Sequence, residues 1–224
     1  LVPFDFSIFS FENTWTLDRS NDWSTEIVLG RLAVQLAKLH TISLKDYGPL
    51  DPRSLFMREP RVPDGLFDSW DQYLLTRFEE HIDWCEELGS ISHEESHQIR
   101  GLFGAVDDLN DFSPVLLHGD LSSRNILVGK PGGIVIDWES CMAGDPIYDL
   151  AQWCAFHKPE HFNWILKPYF HHAVKPEDFD TRFWLYYLRV VLSRTVQRHR
   201  AGKVPNADGG VMNRRIQLAL ENLS

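Results

Sequence analysis

His118-Gly119-Asp120-Leu121-Ser122-Ser123-Arg124-Asn125, followed by Ile126-Leu127-Val128-Gly129-Lys130-Pro131-Gly132-Gly133-Ile134-Val135-Ile136-Asp137-Trp138-Glu139, decides how the chain reads. Residues 126–128 and 134–136 are short apolar runs, and the five residues 129–133 between them are turn chemistry, so a β-hairpin is expected. Pairing 126 with 136 and 128 with 134 sets Asn125 opposite Asp137, with Cα atoms about 4.5–5.5 Å apart. Two oxygen-bearing side chains would then converge at the open end of the hairpin. Hard cations such as Mg²⁺ take oxygen ligands of this kind, usually one or two carboxylates plus substrate phosphates. Asp120 lies five residues before Asn125, on a loop leaving the apolar run 115–117. A carboxylate beside a metal–phosphate site can accept a hydrogen bond from an attacking hydroxyl and orient it, which is the base role in phosphoryl transfer.

Upstream of this segment, Ser20, Asn21 and Asp22 offer N-cap chemistry. Leu29, Leu32, Ala33, Leu36, Ala37 and His40 then fall on one helix face, so a helix is expected there, with His40 reading as a core histidine. Residues 43–65 are punctuated by Pro and Gly and read as loop. Helices are expected over about 66–88 and 91–110. Another set, rich in Trp, Tyr and Phe, is expected over about 159–223, broken at 202–205. Asp145 before Pro146 fits an N-cap with Pro at the first helical position, and Asp149 sits in that helix's first turn. The basic residues Arg194, Arg198 and Arg200, close to Gly202, read as dipole and capping residues. The fold class is therefore α+β, mostly helical, with a small central hairpin.

The chain has 224 residues, 43% of them hydrophobic and 24% charged, enough for one sizeable core and too apolar for a disordered chain. A net charge of −10 argues against a nucleic-acid partner, which needs a basic face, and is compatible with a cationic small substrate. No apolar run approaches the length of a membrane span, so no membrane partner is expected. Cys85, Cys141 and Cys154 are an odd set without zinc spacing, which favours thiols in a reducing, cytoplasmic compartment.

Residues 118–125 resemble the catalytic loop of the aminoglycoside phosphotransferases and the choline-kinase-like enzymes, relatives of the protein kinases. Residues 136–139 resemble their second metal motif, and Gly144-Asp145-Pro146-Ile147-Tyr148-Asp149-Leu150-Ala151 the helix start that follows it. The helix ending Leu36-Ala37-Lys38-Leu39-His40 is similar to theirs as well. The resemblance implies the C-terminal lobe of a protein kinase-like fold over residues 13–224. It also implies an ATP-dependent transfer of the γ-phosphate to a small-molecule hydroxyl. In it Asp120 matches the catalytic base, Asn125 and Asp137 the Mg²⁺ ligands, His118 a loop-organising residue and Asp149 a support beneath the loop. Ser122, where protein kinases typically carry Lys, and the missing glycine after Trp138 point to small-molecule kinases.

No G-x-G-x-x-G occurs, and the Gly-Lys pairs at 129–130 and 202–203 lack the continuation of a phosphate-binding loop. Residues 1–12 resemble the inter-lobe hinge strand, which makes Phe9 and Phe11 candidates to flank the adenine. The chain thus reads as a second lobe. An N-terminal lobe of the same protein is expected as its partner, and the chain alone is expected to turn over ATP poorly. Two competitors stand beside this reading. One is a non-catalytic, pseudokinase-like module that binds a ligand or partner. The other is a zinc hydrolase, because His93-Glu94-Glu95-Ser96-His97 satisfies H-E-x-x-H; its histidines, however, point away from the stripe Ile99, Leu102, Phe103, Val106 and Leu109.

Overall fold

The computed structural model describes residues 15–17, 22–51, 64–105, 109, 111–129, 132–203 and 210–224. The segment 1–12, with Phe9 and Phe11, lies outside the described residues, as do Val106 and residues 130–131.

In chain order the elements are β1 (Trp15–Thr16), α1 (Asp22–Leu39), β2 (Tyr47–Leu50), β3 (Gly65–Phe67), α2 (Trp70–Leu74), α3 (Phe78–Glu87), α4 (His93–Gly104) and β4 (Val115–Leu117). Then come β5 (Ile126–Gly129), β6 (Gly132–Val135), β7 (Met142–Gly144), α5 (Pro146–Ala155), α6 (Asn163–Tyr169), α7 (Phe179–Arg200) and α8 (Val211–Asn222). This is the expected mixed architecture, mostly helical with small antiparallel sheets. One sheet runs β1-β5-β6 and the other β3-β2-β7-β4.

The apolar stripe of α1 is buried as its spacing predicts, from Leu29 through Leu32, Ala33 and Leu36 to Ala37. That face packs on α6 and on β6. Helix α7 is buried over most of its length, with Phe183, Leu185, Tyr186, Leu188, Val191, Leu192 and Val196 in the core, so it occupies the centre, against α3, α5 and α8. Trp70 of α2 is fully buried and meets Tyr148 of α5 and Tyr186 of α7 edge to face, tying three helices together. Among the described residues no helix is long and apolar enough to cross a membrane.

Three local expectations are corrected. The stretch 66–88 is a strand and two helices, because Arg77 adopts a left-handed backbone (φ 58°) and its guanidinium grips Glu80 at 2.6 and 2.7 Å. Within 43–65, β2 and β3 pair with each other, and β2 joins β7. Their strand character is hidden in the sequence because Gly48 and Pro49 lie inside β2.

The third correction concerns the hairpin. It forms, but one residue out of the expected register: Ile126 pairs with Val135, Leu127 with Ile134, Val128 with Gly133 and Gly129 with Gly132. Gly132 and Gly133 enter the ladder, so the connection is two residues long instead of five. A shift of one residue exchanges the faces of a strand. Asn125 consequently lies across from Ile136, whose N–H donates to the Asn125 carbonyl at 2.9 Å, and not across from Asp137.

The H-E-x-x-H motif is absorbed by a helix start. Ser92 accepts from the Glu95 N–H at 3.2 Å and the Ser92 N–H donates to Glu95 at 2.6 Å, a capping box for α4. His93 faces solvent and pairs with Glu86 at 2.9 Å, and His97 is exposed as well. The stripe beneath them is Ser96, Ile99 and Phe103.

Candidate active site

The catalytic-type loop is held from below by α5. That helix starts on Asp145, whose Oδ1 accepts from the Ile147 N–H at 2.9 Å, with Pro146 in the first turn. The Asp145 Oδ2 takes Arg182 at 2.7 Å and the Tyr186 hydroxyl at 2.8 Å. Burial raises the Asp145 pKa, and Arg182 opposes the rise without cancelling it.

One turn later Asp149 is completely buried. Its Oδ2 accepts from the His118 N–H at 2.7 Å and its Oδ1 from the Gly119 N–H at 3.0 Å. His40 reaches the same carboxylate at 3.3 Å while its other ring nitrogen meets the Tyr169 hydroxyl at 2.9 Å. Burial alone would push the Asp149 pKa up; His40 and the two amides outweigh it, and the group stays below the ordinary carboxylate value. His40 is thus a satisfied core histidine that also braces Asp149. Gln152 adds two clamps, accepting from the Leu121 N–H and donating to the Gly119 carbonyl, both at 2.8 Å. Three residues beyond Asp149, it shares that helix face.

His118 fastens the loop sideways. Its Nδ1 accepts from the Asp120 N–H at 3.2 Å, which leaves Nε2 as the N–H that donates to the Ile136 carbonyl at 2.9 Å. The loop is thereby joined to the chain one residue before Asp137. Gly119 between them has φ 77°, and a Cβ there would collide with the Ser140 carbonyl, so only glycine fits.

Asp120 lines a cavity of about 290 Å³ whose wall also includes Tyr73, Tyr148, Gln152 and Ser193. Asn125 Nδ2 donates to the Asp120 Oδ2 at 3.1 Å and to its carbonyl at 2.8 Å. The Asp120 Oδ1 accepts from Arg194 at 2.5 Å. The carboxylate is held at both oxygens and remains about one-third exposed to the cavity. Burial raises the Tyr73 and Tyr148 pKa values, so both phenols stay neutral.

Both amide hydrogens of Asn125 are spent on Asp120, so its Oδ1 is the atom left to meet a cation. Asp137 is exposed, in a left-handed backbone (φ 66°), and its side chain makes no hydrogen bond among the described residues. An amide oxygen and a free carboxylate are hard donors suited to Mg²⁺. The structure therefore brings Asp120 and Asn125 into direct contact and sets His118 and Asp149 in one network beneath them. Among the described residues, Asp137 is tied to these through its chain neighbours: the Ile136 carbonyl, which accepts from His118, and Trp138, whose ring meets His118 edge to face at 4.8 Å. Arg124 and Glu139 are exposed.

Two residues in contact with this loop escape sequence reading. Arg194 is not a capping residue; it lies two turns inside α7, and 74 positions separate it from Asp120. Gln152 carried a usable signal in its spacing from Asp149. Arg200 does lie in the last turn of α7, paired with Glu80 at 2.7 Å.

Residues 4–167 match the sequence profile described as the APH phosphotransferase enzyme family. No curated protein matches the chain in sequence. Among solved structures, the fold is similar to that of aminoglycoside phosphotransferase APH(4)-Ia, crystallised with AMP-PNP and hygromycin B, at 18% identity and a TM-score of 0.63, covering 94% of this chain and 70% of the other. A Thermobifida fusca protein assigned as a fructosamine-3-kinase matches at 18% identity and a TM-score of 0.62, covering 89% and 65%. Choline kinase LicA from Streptococcus pneumoniae matches at 16% identity and a TM-score of 0.58, covering 96% and 68%. The profile match spans well over half of the residues, and the fold agrees with it: the chain belongs to the APH phosphotransferase family and carries a protein kinase-like fold.

Proposed function

We propose that the protein is an ATP-dependent phosphotransferase that moves the γ-phosphate to a hydroxyl of a small molecule, with Asp120 as its base. The observation that carries this reading is the double clamp on Asp120. Asn125 and Arg194 hold one carboxylate oxygen each, and both oxygens keep lone pairs for an alcohol O–H arriving through the cavity. Asp120 accepts that hydrogen bond, aims the hydroxyl oxygen at the γ-phosphorus and takes the proton as the new P–O bond forms and the bond from that phosphorus to the bridging oxygen breaks, with ADP as the leaving group. Rigid support from Asp149, Gln152 and His118 keeps the carboxylate in place before the alcohol arrives, which lowers the entropic barrier.

Asn125 Oδ1 and the Asp137 carboxylate would hold Mg²⁺. Bound there with ATP, the ion would neutralise charge on the transferring phosphate. The three cysteines are thiols, two of them buried, which suits a reducing cytoplasm. A panel of alcohols offered to the full-length protein with Mg²⁺ and ATP, read by ADP release, tests the assignment. Acceptor-dependent release that disappears in Asp120→Ala supports it. Nucleotide binding with no transfer to any alcohol would instead favour a non-catalytic, ligand-binding module.

A further inference from the structure

The cavity beside Asp120 is walled by hydrogen-bonding groups without a free charge. The ionic residues of its described wall are Asp120 and Arg194, and they are paired with each other. Around them stand the phenols of Tyr73 and Tyr148, the hydroxyls of Ser140 and Ser193 and the amides of Gln152 and Gln197. A smaller cavity of about 170 Å³ shares Tyr73, Tyr148 and Ser193. Its cation, Arg189, is fully engaged: Nε donates to the Leu74 carbonyl at 2.6 Å, and the terminal nitrogens to the Thr76 carbonyl at 2.7 Å and to His81 at 3.0 Å. Across Arg194 a basic cavity opens, where Arg198 and Arg215 have partners of their own.

Two of the neutral groups keep hydrogen-bonding capacity for a visitor. Within α7, Thr195 donates its hydroxyl back to the Val191 carbonyl at 2.9 Å, a common resort of a hydroxyl inside a helix. Ser193, two positions earlier, makes no such bond; among the described residues its hydroxyl has no partner, and it lines both cavities. Gln197, one turn on, accepts from Arg194 at 3.0 Å through Oε1, which leaves Nε2 to donate. Hydroxyls of a ligand both donate and accept, so they match such a wall without any charge. A cationic acceptor would meet a carboxylate already neutralised by a guanidinium at its side. An anionic one would have to draw Arg194 away from Asp120. Enclosing a charge without its own partner is costly, so neither matches the wall. A volume of about 290 Å³ stands at the small end of ligand cavities, which run from about 300 to 1,000 Å³, and suits a single ring.

Resting on the phosphotransferase reading above, we infer that the acceptor is an uncharged polyol, a monosaccharide or sugar alcohol of about one ring in size. One hydroxyl lies at Asp120, and its neighbours exchange hydrogen bonds with Ser193 and Gln197. The hydroxyl oxygen bonds to the γ-phosphorus as the bond from that phosphorus to ADP breaks, and its proton passes to Asp120, giving a sugar phosphate and ADP. The acidity of the chain as a whole is compatible with a cationic acceptor; the wall beside Asp120 offers no carboxylate to hold one.

Matched acceptors test this. With Mg²⁺ and ATP, the full-length protein should phosphorylate an uncharged member of the set glucose, ribose, glycerol and myo-inositol. Its kcat/KM there should exceed that for glucosamine, choline, glucuronate and ribose 5-phosphate by about tenfold or more, the scale of one unmatched polar group. In Ser193→Ala the KM for the preferred polyol should rise about 3–10-fold, the scale of one neutral hydrogen bond, while the KM for ATP holds. Ser193→Asp, which adds a carboxylate to the wall, should shift the glucosamine-to-glucose ratio of kcat/KM upward by about tenfold. A charged or apolar alcohol preferred by the unaltered protein overturns the inference and leaves the phosphotransferase reading standing. So does a polyol KM that neither Ser193 variant moves. Nucleotide binding without transfer to any alcohol overturns both.

Discussion

The loop around Asp120 and the basic cavity behind Arg194 share a side chain yet are built on contrasting plans. In the loop, polar groups are spent inward: Asp149 and Gln152 take four bonds to the main chain of 118–121, and His118 uses both ring nitrogens. Around the cavity, Arg124, Arg194, Arg198, Lys203 and Arg215 gather from distant parts of the chain along one wall. The first arrangement fixes atoms within one short loop; the second is assembled only by folding. A catalytic carboxylate needs the former because a misplacement of 1 Å is costly in rate.

Substitutions should separate the two plans. The largest effect belongs to Asp120→Ala, which should lower kcat by about 10²–10⁴ while nucleotide affinity, measured by titration, stays within about twofold. Next comes Asp149→Ala, which strands two loop amides and His40 in the interior. Chemical denaturation should show a loss of about 3–5 kcal/mol, and activity should fall with it. A stable Asp149→Ala protein would mean that the loop does not depend on this anchor. Asp137→Ala should raise the Mg²⁺ concentration for half-maximal nucleotide binding by about 10–100-fold. An unchanged metal requirement would remove Asp137 from the cation site.

Away from both regions, His81 is buried and takes a hydrogen bond from Arg189 at 3.0 Å. Burial, and then the Arg189 charge, lowers its pKa to about 4. Below its ordinary value of 6.5 the unfolded chain binds a proton that the native state refuses, so stability should fall as pH drops from about 6.5 to 4 and be level above 7. His157, also at about 4 through burial, adds to the same acid limb. Melting curves across this range should show a shallower limb in His81→Gln. The smallest effect is expected at the H-E-x-x-H motif. His93→Ala should change stability by less than about 0.5 kcal/mol, because the side chain faces solvent. Glu95→Ala should cost roughly 0.5–1 kcal/mol through loss of the capping box.

What could be read from the sequence divides along the same line. Asp120, Asn125, the N-cap Asp145 and the stripe of α1 are encoded by neighbours within a few residues, and local pattern exposes them. The hairpin was legible as an element but not in register, since Gly132 and Gly133 carry no side chain to tell turn from ladder. β2 was hidden by Gly48 and Pro49, and the break at Arg77 by a residue type that gives no warning of a left-handed backbone. Arg194 and its cavity were illegible because the wall is assembled from four separate parts of the chain, and only folding brings them together.

The central claim is that phosphate passes to an alcohol held at Asp120. With γ-labelled ATP, Mg²⁺ and the best acceptor of the alcohol panel, the label should appear on the alcohol, only when the alcohol is present, and should vanish in Asp120→Ala. Label released as inorganic phosphate at the same rate with or without the alcohol, or transfer that persists in Asp120→Ala, would contradict it.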